Sequence, residues 1–446
     1  MRGMADFPFL THPSLDDTVA FRKGGAITVR EFLGEAAALA GRLPERPYLL
    51  NDCADRYRFA VVFAAALLRR QVTLLPPTLT SETVRQLAAS FPGLYCLTDD
   101  PGRAMDVPVW PYPEDLIPLA VDRIPVPAAS QIAAVALTSG STGTPVPHAK
   151  TWANLARSAR AEGERLGITP GRHTVLGTVP AQHMYGFEST VLLPLQNGAV
   201  FSAARPFYPA DVCAEIAQLP GAVVLVTTPF HLRALLNIDG NLPSVELLVS
   251  ATAPLAPQLA QAAEVRFGAP LLEIYGCTEA GQLATRRPVE EAEWKTYPGV
   301  SVIRAKDGFR VRGGHVAGEV RLDDVLALKS PHRFVWLGRS GDMINIAGKR
   351  TSLAYLNHQI TSIPGVVDAV FVMPDEDSPG GVTRLMAYAV APELTHAGLM
   401  QVLRQRLDPA FLPRPLYLVS SLPRNTTGKL PRTALDAFSV SLREAS

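Results

Sequence analysis

Residues 131–150 read QIAAVALTSGSTGTPVPHAK, and residues 151–167 continue TWANLARSARAEGERLG. The opening run, QIAAVAL, is apolar and suits a buried strand, whereas the second segment has the composition of a helix. Between them, glycines alternate with serine and threonine up to a lysine, Lys150. Glycines let the backbone turn where a Cβ would clash, and clustered hydroxyls with free N–H groups surround an anion without one fixed charge. A loop of this kind between a strand and a helix reads as a phosphate cradle, with a polar connector as the plain alternative.

The rest of the chain repeats the strand–helix rhythm. Apolar strand-like runs recur near residues 94 (LYCL), 135 (AVALTS), 174 (TVLGTV), 222 (AVVLVTT), 245 (VELLVSA) and 271 (LLEIYG). Helical patterns separate them, such as SETVRQLAASF with Thr80 or Ser81 as N-cap. That alternation implies βαβ units and a mostly parallel sheet. After about residue 300 the texture changes to short alternating strands, VIRAKDGFRVRG and GEVRL, as in a small antiparallel or barrel-like subdomain. Glycines flanking an arginine at Gly338 to Asp342 mark a pivot.

Composition narrows the class. A chain of 446 residues is too long for one ordinary core. Its 42 basic and 41 acidic side chains leave a formal charge of +1, so nothing global points to nucleic acid. The longest apolar run, Phe59 to Leu68, is too short to span a membrane, and the amino-terminal segment has no secretion-signal pattern. The expected location is cytoplasmic. Cys53, Cys96, Cys213 and Cys277 are far apart and form no CxxC, which disfavours a disulfide framework and a zinc site.

Four stretches, TSGSTGTP, YGCTEAG (275–281), LGRSGD (337–342) and PRNTTGK (423–429), occur in this order. Together the set resembles the adenylate-forming superfamily of acyl-CoA synthetases, acyl- and aryl-carrier-protein ligases, peptide-synthetase adenylation domains and luciferases. The wording is most similar to the carrier-protein ligases of aryl polyene or xanthomonadin-type pigment pathways. The resemblance implies an α/β fold: a large N-terminal domain of mostly parallel βαβ sheets with a barrel-like subdomain, and a small, mobile α+β C-terminal domain. Residues 1–337, 338–342 and 343–446 would then be adenylation domain, hinge and mobile domain.

By the same resemblance, ATP and Mg²⁺ are cofactors, and a carboxylic acid displaces pyrophosphate to form an acyl-adenylate. A phosphopantetheine thiol, on an acyl carrier protein or coenzyme A, then captures the acyl group. Thr138, Ser139, Gly140, Ser141, Thr142 and Gly143 would hold the phosphates. Family members carry lysine directly after the loop proline, where this chain has Val146. Lys150 either takes over from further along or is a solvated residue at a helix start. Glu279 is the implied Mg²⁺ ligand and Thr278 a donor to the α-phosphate. Tyr275 and Gly276 would border adenine, with Gly276 leaving room for the base. Asp324, rather than Asp323, would bind the ribose hydroxyls together with Arg339. Lys429 is the implied catalytic lysine.

PAQHMYGFEST (180–190) is similar to the family's acyl-pocket segment, so His183, Gly186 and Phe187 are pocket candidates, His183 as gate or as packing. Ser250, Ala251 and Thr252, from VSATAPL, resemble the wall between adenine and acyl group. Glu188 is the acidic residue of that segment, and an apolar acid, aromatic or fatty, is favoured over an amino acid. Gly341 occupies the position where the family commonly has aspartate or lysine, which would make the hinge loosely restrained. Arg404, Arg406, Arg414, Arg424, Lys429 and Arg432 form a basic face suited to coenzyme A phosphates or an acidic carrier protein. The competing reading is a catalytically silent homologue acting as a binding or scaffold module, suggested by Val146, Gly341 and the stretch 322–324, where Leu322 and Asp323 stand in place of the family's usual threonine and glycine before Asp324.

Overall fold

Two sheets carry most of the chain before residue 340. The computed structural model describes residues 7–139, 145–339, 341, 343–346, 349–373, 385–424 and 430–444. The larger sheet has eleven strands, and its centre is a parallel set ordered His173–Gly177, Ala222–Thr227, Leu247–Ser250 and Leu271–Cys277. These strands are rich in Val and Leu and buried on both faces, as central parallel strands must be. Beyond Leu271–Cys277 the sheet continues antiparallel through Gly281–Arg286, Glu293–Thr296, Arg333–Arg339 and Asp324–Ser330. This extension brings residues 324 and 339 back alongside the 271–286 hairpin. The short alternating strands form a separate antiparallel sheet, Val300–Ala305, Gly308–Gly313 and Glu319–Leu322.

The second large sheet has six strands and ends in Ile132–Ser139 and Pro145–Thr151. Here the expectation of a loop between a strand and a helix is corrected. Pro145–Thr151 is itself a strand, antiparallel to Ile132–Ser139, with Val146 opposite Thr138, His148 opposite Ala136 and Lys150 opposite Ala134. Only after it does Thr151 cap the helix Trp152–Leu166, accepting from the Asn154 N–H. Two prolines, 145 and 147, disguised this strand in the sequence. An edge position tolerates them because their missing N–H groups face no ladder partner.

Between the sheets lies an aromatic and aliphatic core. Arg56–Leu68 is apolar nearly all round because it is surrounded, its arginine included. Trp152 stacks on Phe9 at 5.4 Å between centroids, and Phe187 meets Phe63 edge-on at 4.8 Å. The buried Arg56 guanidinium donates to the carbonyls of Ser202, Ala204, Gly177 and Val179. Four carbonyls from two segments thus satisfy a charge that would otherwise be costly to bury.

After residue 342 the chain forms a hairpin (Met343–Ile346 with Lys349–Ser352), a helix Leu353–Thr361, and a three-stranded sheet of Asp368–Val372, Met386–Val390 and Leu416–Leu418. Helices His396–Arg406 and Arg432–Glu444 complete it. A separate hydrophobic cluster around Leu356, Ile360, Phe371 and Leu403 forms its interior. Among the described residues no helix is long and apolar enough to cross a membrane.

Candidate active site

The hairpin Leu271–Cys277/Gly281–Arg286 projects residues 278–280 as a turn at the carboxyl end of a central parallel strand. Open α/β sheets bind ligands at that end. Thr278 and Glu279 lie in this turn, and the Glu279 side chain is 39% exposed. A glycine is required at 276 by the hairpin itself, since a Cβ there would sit 2.5 Å from the Gly281 carbonyl oxygen.

Tyr275, Asp324 and Arg339, distant in sequence, meet beside the turn. The Tyr275 hydroxyl donates to Asp324 Oδ2 at 2.6 Å, and the Trp336 indole N–H donates to Oδ1 at 2.8 Å. Arg339 Nε stands 3.9 Å from Oδ1, with most of its side chain exposed. Asp324 and Arg339 are directly opposite in their strand pair. Asp323 instead points out to solvent. Burial and the neighbouring Asp324 carboxylate both push the Tyr275 phenol well above its ordinary range, so it remains a donor.

On the other side of the turn stands the strand Pro145–Thr151. Its even-numbered side chains run progressively inward: Val146 is exposed, His148 half-buried and Lys150 buried, at 7% exposure. His148 Nε2 lies 3.0 Å from Thr138 Oγ1 and 4.0 Å from Glu279 Oε1. Burial lowers its pKa. Lys150 Nζ donates to the backbone carbonyl of Glu279 at 2.6 Å. The expectation of a solvated lysine at a helix start is therefore corrected, because the residue lies on a strand and its ammonium is engaged by the turn. His148 escaped the sequence reading, although alternation along the strand would have placed it with Lys150.

At the end of Leu247–Ser250 the backbone is unusual. Thr252 has φ of +79°, an uncommon conformation for a β-branched residue and one that recurs at functional sites. Ser250 Oγ is fully buried with no hydrogen-bond partner among the described residues, beside the buried Ala251. Glu273, which the sequence reading also missed, links this wall to the hairpin: Oε1 accepts from the Leu255 N–H at 2.9 Å and Oε2 from Arg286 Nε at 2.7 Å.

His183 caps the short helix Met184–Phe187, its Nδ1 accepting from the Tyr185 N–H. Gly186 is needed for close packing, as a Cβ there would lie 1.9 Å from the Pro180 carbonyl oxygen. Phe187 is fully buried against Phe59 and Phe63 and so packs in the core, not on a pocket wall. Glu188 follows, buried, with Ser158 Oγ donating to Oε1 at 3.3 Å. Burial pushes its carboxyl up to about 7, and that of the neighbouring Glu162 up to about 8.

Gly140, Ser141, Thr142, Gly143 and Lys429 lie outside the described residues, as does the side chain of Ser139. Gly341 is described and exposed. Two arginines of the basic face have partners within the protein: Arg424 pairs with both oxygens of Asp368, and Arg406 donates to Ser362 Oγ. A cavity of about 370 Å³ lies elsewhere, between Leu337, Tyr355, Leu407 and Phe411.

The donor set fits Mg²⁺. The Glu279 carboxylate is a partly exposed hard-oxygen donor, and among the described residues no cluster of three or more acidic, histidine or cysteine side chains could hold a metal. One carboxylate completed by phosphate oxygens and water is how Mg²⁺ commonly sits on a nucleotide, whereas transition metals call for denser ligand sets.

The profile of the AMP-binding enzyme family matches residues 36–311. A 4-coumarate–CoA ligase from Rhodobacter capsulatus is 31% identical over 301 residues, covering 66% of this chain and 74% of that protein. A second 4-coumarate–CoA ligase, from Halorhodospira halophila, is 29% identical over 299 residues, covering 66% and 73%. In fold, the ATP-bound MatB from Rhodopseudomonas palustris superposes with a TM-score of 0.81 at 18% identity, covering 96% of this chain and 97% of that one. More than half of the chain answers to one family profile, and Tyr275, Thr278, Glu279, Asp324 and Arg339 gather at the end of its central sheet: the protein belongs to the AMP-binding enzymes, the adenylate-forming superfamily.

Proposed function

We propose that the protein is an ATP-dependent, AMP-forming acid–thiol ligase acting on an aromatic carboxylic acid. The observation that carries this reading is the assembly of Tyr275, Asp324 and Arg339 beside the Thr278–Glu279 turn. A phenol and a carboxylate with spare acceptor capacity suit a ribosyl adenine, and the turn lies where its phosphates would pass. The 4-coumarate–CoA ligases among the relatives support an aromatic substrate, as does the apolar neighbourhood of Ala251.

In the first step a substrate carboxylate oxygen attacks the α-phosphorus, the bond from that phosphorus to its bridging oxygen breaks, and pyrophosphate leaves with the electron pair. Mg²⁺ supplies neutralisation of phosphate charge, and Glu279 is the residue that would hold it. Thr278 donates to the α-phosphate. Thr138, Ser139, Gly140, Ser141, Thr142 and Gly143 receive the pyrophosphate. Lys429 bridges the carboxylate and the α-phosphate as charge builds, the kind of preorganised contact that lowers a barrier most. In the second step a thiolate attacks the acyl carbon and AMP departs. The segment 338–342 is the pivot about which 343–446 turns between steps, with Gly341 its least restrained member.

Coenzyme A is the first acceptor to test because the relatives are CoA ligases, and the exposed Arg404 and Arg414 suit its phosphates. An acyl carrier protein is the second. ATP–pyrophosphate exchange over a panel of carboxylic acids tests the reading. Exchange that depends on an aromatic acid, followed by thioester formation when coenzyme A or a carrier protein is added, is the expected result. Silence with every acid would favour a scaffold homologue instead.

A further inference from the structure

We propose that Lys150 is a positioning residue: buried and seated on the Glu279 carbonyl, it holds the 278–281 turn so that the Glu279 carboxylate faces the nucleotide's Mg²⁺. The inference rests on the ligase reading and adds a residue that acts through Glu279, not on phosphate.

Three observations converge on it. Lys150 is almost wholly buried, and its ammonium is 2.6 Å from a neutral backbone carbonyl. A buried cation needs an opposite charge nearby. Glu188, itself buried, is the acid that acts most strongly on Lys150. Glu188 also lies close to the turn, its Oε1 within 3.0 Å of where a Cβ on Gly281 would be. The turn thus has the cation bound at residue 279 and a buried carboxyl beside residue 281. Finally, His148, on the same strand face, stands 4.0 Å from the Glu279 carboxylate.

The strand geometry separates this role from a phosphate contact. Position 146, directly after the loop proline, carries an exposed valine. Lys150 is four residues further along, about 13 Å at the rise of an extended strand. A side chain starting there and already seated on the Glu279 carbonyl is engaged at the turn and does not take the place of a lysine at 146.

The test is ATP affinity of the full-length protein, measured calorimetrically with saturating Mg²⁺ and again with the metal chelated. In Lys150→Met, the affinity gained from Mg²⁺ is expected to fall about tenfold, as for other residues that orient a metal ligand. Affinity for metal-free ATP should stay within about twofold. Lys150→Met/Glu188→Gln, which leaves no unpaired buried charge, should lose no more than Lys150→Met alone and serves where the single variant does not fold. Equal weakening with and without Mg²⁺ would make Lys150 a phosphate ligand and overturn the proposal, as would unchanged affinity in both conditions. If the unaltered chain binds ATP with no help from Mg²⁺, the ligase reading falls too; if it binds normally and the variants match it, only the Lys150 role falls.

Discussion

Replacing Asp324 by asparagine tests the ribose assignment with little disturbance of the fold. Each carboxylate oxygen already accepts one bond, from Tyr275 at 2.6 Å and from Trp336 at 2.8 Å. One lone pair per oxygen remains, enough for two vicinal hydroxyls. In Asp324→Asn the amide oxygen can still take the Trp336 N–H, which only donates, while the amide nitrogen donates to the Tyr275 hydroxyl, which can accept. The local network therefore survives, and what is lost is one ribose acceptor and the strength of the other. Hydrogen bonds to charged groups contribute about 1.5–3 kcal/mol each. Taking the lower end for both, because the oxygens are shared, gives roughly 3 kcal/mol, or about a hundredfold. The assay is kcat/KM in pyrophosphate exchange for ATP against 2′,3′-dideoxy-ATP. The parent protein should prefer ATP about a hundredfold, and Asp324→Asn should cut that preference below about tenfold while leaving the dideoxy rate nearly unchanged. An equal loss with both nucleotides would refute the assignment, since a residue that does not touch the ribose has no means of sensing its hydroxyls.

Other expectations follow from burial and charge. Lys429→Ala should lower adenylation about 10²-fold or more while ATP still binds, the pattern of a group acting on the transition state; unchanged exchange would remove the role. Gly186→Ala drives a methyl group into the Pro180 carbonyl and should cost about 3 kcal/mol in urea unfolding. Equal urea midpoints for variant and parent would mean that the segment before the helix gives way easily. Glu162, with its carboxyl held up at about 8 by burial, keeps a proton when folded that the unfolded chain releases near 4.5. Stability therefore declines as pH rises through that window, by up to about 1.4 kcal/mol per pH unit from this one group. Glu162→Gln retains an acceptor for Ser189, which donates at 2.6 Å, and should abolish that share of the slope. Parallel stability curves for the two proteins between pH 5 and 8 would contradict the buried-acid account.

What the sequence made legible was governed by local rules, and what it hid was governed by contacts made across the chain. Val- and Leu-rich runs near 174, 222, 245 and 271 announced the central parallel strands because those strands are buried on both faces. Thr80 was readable as a cap because the side chain to backbone bond spans three residues. The strand 145–151 was not readable, since its prolines are acceptable only at a sheet edge, and edge status depends on which strand lies beyond. Motif order brought Tyr275, Asp324 and Arg339 into one expectation, yet their meeting requires the antiparallel extension through Arg333–Arg339 and Asp324–Ser330, which no local pattern specifies. Gly186 and Phe187 show the same division. Both stand in a pocket-like motif, but the space around Gly186 is filled by the Pro180 carbonyl and Phe187 belongs to the aromatic core, so part of the motif encodes packing. Lys150 is the sharpest case. Along the sequence it is a lysine four places late; on the strand it is the inward end of a face that begins exposed at Val146, and the same alternation that buries it forces a partner on its charge. The turn carrying Glu279 takes the ammonium, so on the proposed reading moving one cation along an edge strand changes its task from touching phosphate to positioning the residue that would hold the metal.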